Sequence, residues 1–404
     1  MRFFAATLAA FAASAAFAAT GAVATGAGGL DAVLGKALFE RDWIPAPAST
    51  RSADGLGPLF SARSCAGCHA GDTLGARFTE VDRKIAGRGL VVRFADAAGR
   101  PDPRYGSLLQ TQGVTGVPPE GRVVLAASGD GAMQAVLHLE RGPLDSGTRA
   151  SFRIAPPLVG RAAIEAIDSA AILARADADD RDGDGISGRA RVLFDGTLGR
   201  YGWKAGNPTL DDQVADAFAR EMGLSSALRP LPYGDCTALE ADCLGAPSGA
   251  GVVAANVAGG SGHELSEEMT GLVAAFVRSL PQGPANPAEP PAQFAAAGCA
   301  SCHVPALATL AGGSAPLFSD LLLHDMGPDL DDGAGEPGVS SAEWRTAPLA
   351  ALRGQGRRYL HDGRAATIDA AIRAHGGEAA AAQAAYGALP PAERDALLVF
   401  LATL

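Results

Sequence analysis

The sequence predicts a mainly α fold made of two similar units, the first swollen by a large loop-rich insertion, and three observations predict it. The segment Cys65-Ala-Gly-Cys68-His69 recurs in kind as Cys299-Ala-Ser-Cys302-His303. Residues 265–280 and 391–404 resemble each other, each reading as an acidic first turn followed by an apolar helix. Residues 281–291 carry five prolines and read as a linker. A leader is expected over 1–24, a first unit over 25–280 and a second, compact unit over 292–404.

Residues 1–24 combine Arg2, an Ala/Phe-rich run and small-residue sites at Ala16-Phe17-Ala18 and Ala22-Val23-Ala24, the layout of a cleaved secretory signal. The apolar run is broken by Thr7 and Ser14 and is shorter than the ~20 residues a bilayer span needs. No other segment reads as a span, so the mature chain is expected to be soluble in an oxidising compartment, most simply the periplasm. The 404 residues suffice for a sizeable core, and 48% hydrophobic residues argue against wholesale disorder. A net charge of −11 makes nucleic acid an unfavourable partner.

The six cysteines are divided between the two C-x-x-C-H segments and the pair Cys236 and Cys243. In C-x-x-C-H one turn presents two thiols to the vinyl groups of a haem while the adjacent His turns its ring onto the iron. Cys65, Cys68 and His69, and Cys299, Cys302 and His303, are therefore expected to attach two c-type haems covalently. A thioredoxin-like or zinc site is the alternative, but neither calls for the following His twice in one exported chain. Each unit then reads as a cytochrome c-like haem domain opened by its motif and closed by its apolar helix. Cys236 and Cys243 lie in a Gly/Pro/Asp-rich loop with no neighbouring His and read as a structural disulfide.

Further segments carry a family resemblance. Residues 317–327 (LFSDLLLHDMG), 343–349 (EWRTAPL), 359–364 (YLHDGR) and 374–378 (AHGGE) resemble the di-haem oxidoreductase family, sometimes labelled thiol oxidoreductase. So do 57–60 (GPLF), 182–189 (DGDGISGR) and 202–205 (GWKA). That family is similar to bacterial di-haem cytochrome c peroxidases and MauG-type enzymes, in which one haem meets hydrogen peroxide and the other handles electrons. The resemblance implies the same division here, with a small periplasmic redox protein or another protein as partner. The thiol label is discounted, since no free cysteine remains if Cys236 and Cys243 are paired.

The distal ligand decides which iron is open. Between Ala70 and Ala132 there is no His and no Met, so the first haem lacks a nearby sixth ligand. In the bacterial peroxidases an axial Met follows the His of a His-(Asp/Ser)-Gly motif by fourteen residues; His375 follows His361 by the same number, which implies His375 as the second haem's sixth ligand, with Met326 as rival. His138 and His263 read as ordinary surface or supporting histidines. The peroxidase-type sites also carry a Gln and, ten residues later, a Glu, a spacing reproduced by Gln110 and Glu120. The resemblance implies a proton shuttle at Glu120, which without it reads as a solvated turn residue. The Trp that relays electrons in those enzymes aligns with Arg100, leaving Tyr105, Trp203 or Trp344 as substitutes.

Asp180, Asp182 and Asp184, followed by Gly185, read either as a calcium loop or as a solvated acidic turn. A full EF-hand is unsupported, because its twelfth position is Arg191. The leading expectation is a periplasmic di-haem oxidoreductase that accepts peroxide at the first haem. A non-catalytic electron carrier, or a haem-bearing component of an assembly or uptake system, are the alternatives.

Overall fold

A computed structural model describes residues 29–50, 53–71, 74–82, 84–129, 131–250, 262–283, 289–354 and 356–404. The expected leader and the middle of the Pro-rich stretch lie outside the described residues. The first half is framed by α1 (Leu30–Glu40), the single turn α2 (Cys65–Cys68), α3 (Leu210–Met222) and α4 (Glu267–Ser279). Helix α4 begins where the Ser266 hydroxyl accepts from the Met269 N–H at 3.2 Å, with Glu267 and Glu268 complementing the helix dipole. Helix α1 lies against α4 with almost no gap: a Cβ added at Gly35 would sit 1.9 Å from the Leu272 carbonyl oxygen.

In the second half, α5 (Ala292–Ala296) leads into a one-turn 3₁₀ segment at Cys299–Ser301, and α6 (Ile368–Arg373), α7 (Ala380–Ala388) and α8 (Pro391–Thr403) follow. Pro391 stands in the first turn of α8, where its missing N–H costs nothing. Phe294, Phe318 and Phe400 meet edge to face at 5.8–6.0 Å between centroids and centre this unit's core. The largest core joins the halves. It packs Phe39, Trp43, Phe218, Val273 and Phe276 with Leu307, Leu317, Leu321 and Leu322, from both sides of the Pro-rich stretch.

The expectation of a mainly α fold is corrected by the structure, which is 27% helical with 21% strand distributed over many small sheets. The strands include β1 (Arg77–Val81), β2 (Lys84–Arg88), β3 (Leu90–Ala95), β4 (Gly121–Ala127), β5 (Met133–Leu139), β6 (Arg149–Ile154), β7 (Leu323–Asp325) and β8 (Glu343–Arg345). An antiparallel sheet runs β1-β2-β4-β5, β3 pairs with β6, and β7 pairs with β8. The strands of the inserted stretch fall within residues 77–154, and the part that follows is loop with short helices and α3. The physical signal is local: GRVVLAA and MQAVLHL alternate exposed and covered side chains, and the intervening turn ends at Gly131, which takes φ +81°. A reading centred on helices that wrap a haem passes over that alternation. No helix among the described residues is long and apolar enough to cross a membrane.

The α1–α4 contact has a testable cost. Gly35→Ala forces a methyl group into the Leu272 carbonyl and is expected to destabilise the protein by about 1–3 kcal/mol. The measurement is a lower urea midpoint at unchanged m value.

Candidate haem sites and the acid cluster

Helix α2 is held by bonds from Gly67 N–H to Ser64 O (3.1 Å) and from His69 N–H to Cys65 O (2.9 Å). The chain leaves the turn extended at His69, φ −97° and ψ 106°, and the ring's Nδ1–H donates to Leu74 O at 2.9 Å. Nε2 is left free. Burial pushes the imidazole down to about 4, and the Arg161 charge adds to it, so the ring is neutral, as a metal ligand must be. A cleft of about 480 Å³ opens beside it, lined by Phe39, Ala66, His69, Leu74 and Phe276 among others. Cys65 and Cys68 are free thiols, both pushed up to about 12 by burial and by the Glu221 carboxyl. Such thiols are not activated for disulfide exchange.

The second motif repeats this chemistry. His303 N–H bonds Cys299 O at 2.9 Å, and its Nδ1–H donates to Phe318 O at 3.0 Å, again freeing Nε2. Burial pushes this ring to about 4, with His375 among the charges that add to the effect. His375 follows α6 and donates its own Nδ1–H to Ala371 O at 2.7 Å. His375 acts electrostatically on His303, and among the described residues neither ring makes a hydrogen bond through Nε2. Met326 joins the same neighbourhood through its backbone, whose carbonyl oxygen would touch a Cβ at Gly376.

His324 is committed elsewhere. Nε2 bonds Asp320 at 2.9 Å and Nδ1 bonds Glu378 at 2.7 Å. Burial alone would lower it, yet the bonds to Asp320, Cys302 and Glu378 push it up to about 12, which makes it an imidazolium and removes it from ligand duty. Glu378 also accepts from Ser187 Oγ at 2.5 Å, tying the insertion to the second unit.

Gln110 and Glu120 are brought together. Gln110 N–H donates to Glu120 Oε2 at 2.5 Å, and Glu120 N–H to Gln110 O at 3.0 Å. Glu120 is 1% exposed, so it is a buried acid and not a solvated turn residue. Burial raises it far above the carboxylic-acid range, and Glu240 and Asp235 reinforce this. Glu240 Oε1 is buried 3.5 Å from Arg141 Nη1 and makes no hydrogen bond, a need that a proton on Glu120 meets. Gln110 Nε2 donates to Arg220 O at 2.9 Å, one residue from Glu221. Glu221 accepts from Ser61 Oγ at 2.8 Å, and burial raises its pKa. Sequence reading missed Glu240 and Glu221. Glu240 had one signal, its place inside the loop closed by the Cys236–Cys243 disulfide, which the structure contains; Glu221 had none.

Trp203 and Trp344 share a buried cluster, in which Trp344 stacks on His361 at 3.6 Å with Lys204 Nζ 3.7 Å from its centroid. Tyr105 packs on Phe94 instead, and Arg100 is paired with Asp96 at the surface. His138 is exposed on β5. The carboxylates of Asp180, Asp182 and Asp184 converge within 4.8 Å. Each accepts a backbone N–H of its own loop, so the turn is explained as it stands. Arg191 pairs with Glu336 at 2.6 Å, consistent with a loop that is no EF-hand.

Two free pairs of thiols, each followed by a neutral histidine with Nδ1 tied and Nε2 open, suit two haem groups and define a haem-binding protein. Residues 139–404 match the family model described as "Di-haem oxidoreductase, putative peroxidase", and the chain belongs to the di-haem oxidoreductase family. No curated protein and no solved structure matches the chain.

The acid cluster generates a pH prediction. Because Glu120 is raised on folding, its stabilising effect is full below the unfolded value near 4.5 and is lost progressively as pH rises through the folded value. Glu120→Gln is expected to flatten the fall in stability between pH 5 and 9, measured by urea titration across that range. An unchanged slope would mean that Glu120 is ionised in the folded protein.

Proposed function

We propose that the protein is a periplasmic c-type di-haem oxidoreductase that reacts with hydrogen peroxide at the His69 site and passes electrons through the His303 site. The observation that carries this reading is an asymmetry. A second imidazole, His375, acts on His303, whereas the charged group acting on His69 is Arg161. A haem held through His69 alone would supply peroxide chemistry, and one held through both His303 and His375 would supply electron transfer. Attachment through Cys65 and Cys68, and through Cys299 and Cys302, is part of the proposal. Periplasmic location rests on residues 1–24.

The chain's own residues divide the work. Leu74 O and Phe318 O orient His69 and His303, and burial keeps both rings neutral. Glu120 holds a proton through neutral pH, as a general acid for O–O cleavage must. Gln110 fixes that carboxyl through its N–H and anchors its own amide to Arg220 O, beside Glu221. His375 is assigned as the second site's sixth ligand. Calcium at Asp180, Asp182 and Asp184 is given no redox role. The reductant is a small periplasmic redox protein, or a second protein is oxidised directly.

Glu120→Gln is expected to keep both haems and to slow the reaction with peroxide by about 10²-fold, measured by stopped-flow absorbance. An unchanged rate removes Glu120 from the chemistry. His375→Gly is expected to convert one haem from low to high spin in the electron-paramagnetic spectrum. A spectrum that stays low spin transfers the ligand role to Met326.

A further inference from the structure

Glu120 is sealed from solvent, and a buried acid that gives up its proton must receive another through its neighbours. Its surroundings narrow the source. Oε2 accepts the Gln110 N–H at 2.5 Å, and the backbone is closed by Glu120 N–H to Gln110 O at 3.0 Å and Glu140 N–H to Glu120 O at 2.7 Å. Among the described residues the titratable groups beside it that could carry a proton are Tyr105, Asp235 and Glu240. Two of these are engaged. The Tyr105 hydroxyl donates to Gly142 O at 2.5 Å and accepts from Arg141 N–H at 3.0 Å. The Asp235 carboxyl accepts the N–H groups of Ser107 and Leu108 and the Ser107 hydroxyl, all at 2.6–3.1 Å.

Glu240 has an oxygen to spare. Oε2 accepts the Thr237 N–H at 2.8 Å, whereas Oε1 is buried and has no donor, which leaves it open to a proton shared with the Glu120 carboxyl. The side chain is 1% exposed, but the chain around it is not: Ala238, Leu239, Ala241 and Asp242 all face solvent, inside the short ring that the Cys236–Cys243 disulfide closes. Arg141 braces this ring against the turn before Glu120. It donates to both oxygens of Asp242 at 2.8 Å and to Pro118 O at 2.7 Å, and its Nη1 stands 3.5 Å from Glu240 Oε1. One guanidinium therefore holds the two acid-bearing segments in register.

We propose that Glu240 is the proton relay of Glu120: protons from solvent reach Glu240 Oε1 through the disulfide-closed loop and pass along the hydrogen bond between the two carboxyls. The inference rests on Glu120 acting as general acid in the reaction with peroxide, and it adds where the next proton comes from. Once Glu120 has donated, it is a carboxylate. A hydronium ion gives its proton to Glu240 Oε1 and leaves as water, that proton moves to Glu120, and Glu240 is a carboxylate again. Glu240 is a positioning residue in this scheme, since it acts on the chemistry only through Glu120.

The test uses the haem-loaded protein and its Glu240→Gln, Glu240→Asp and Glu120→Gln variants. The first readout needs no peroxide. The infrared C=O stretching band of the protonated Glu120 carboxyl, identified by its loss in Glu120→Gln, shifts after mixing into D2O at the rate at which its proton exchanges. Glu240→Gln keeps the shape and removes the acid, and is expected to slow that shift by about tenfold or more. Glu240→Asp should slow it less, since it keeps the acid and draws it back by one methylene. The second readout is stopped-flow and steady-state kinetics with hydrogen peroxide, where Glu240→Gln is expected to slow sustained turnover by more than the first reaction. A merely structural disturbance would slow the first reaction at least as much. Wild-type exchange in Glu240→Gln overturns the proposal, and so does a Glu120→Gln variant that loses no band. If Glu240→Gln does not accumulate, unslowed exchange in Glu240→Asp overturns it in the same way. A wild-type protein whose exchange depends on Glu240 but which does not react with peroxide fails the underlying reading instead of the relay.

Discussion

The hydrogen bond from each motif histidine to a backbone carbonyl is the constraint on which the rest depends. His69 is tied to Leu74 O and His303 to Phe318 O, at 2.9 and 3.0 Å. That bond selects the tautomer that carries its proton on Nδ1 and fixes the plane of the ring, while burial, against the pull of the carbonyl, keeps the ring uncharged. Each acceptor carbonyl must in turn be placed. Leu74 O also accepts from Leu158 N–H, so the loop between the first motif and β1 is held by the segment that follows β6. Phe318 is seated in the aromatic core with Phe294 and Phe400, which fixes its backbone relative to the second motif.

The buried charges of the molecule fall into two kinds. One kind is closed on itself. His324 lies between Asp320 and Glu378, and Arg153 and Arg191 both grip Glu336. These networks join the insertion to the second unit, and each buried charge in them has an opposite charge at hydrogen-bond distance that offsets part of its desolvation cost. The other kind is less complete. Glu120 meets Glu240, whose carboxylate lies 3.5 Å from the Arg141 guanidinium, and burial keeps a proton on the Glu120 carboxyl.

Much of this was readable from sequence, for reasons that can be named. C-x-x-C-H is a local pattern, because one turn of chain holds all three side chains, and α2 forms it within four residues. The closing segments at 265–280 and 391–404 carry their helical signals within themselves, in an acidic first turn and an apolar run, and both are helices in the structure. The sheet β1-β2-β4-β5 was missed because the two C-x-x-C-H motifs directed the reading to helices and the alternation along β4 and β5 was passed over, so the fold was taken as mainly α. The acid cluster was half visible. Gln110 and Glu120 could be paired by spacing, but Glu240 reaches them only through tertiary folding of the disulfide loop, and Glu221 from the end of α3.

The central claim is that the two sites differ, one open and one closed by a second imidazole. The most direct measurement is the absorption and electron-paramagnetic spectrum of the purified ferric protein, before and after one equivalent of hydrogen peroxide. The account predicts one high-spin and one low-spin haem, with a rapid spectral change on addition of peroxide. Two low-spin haems, in both ferric and half-reduced protein and indifferent to peroxide, would contradict it and make the protein an electron carrier.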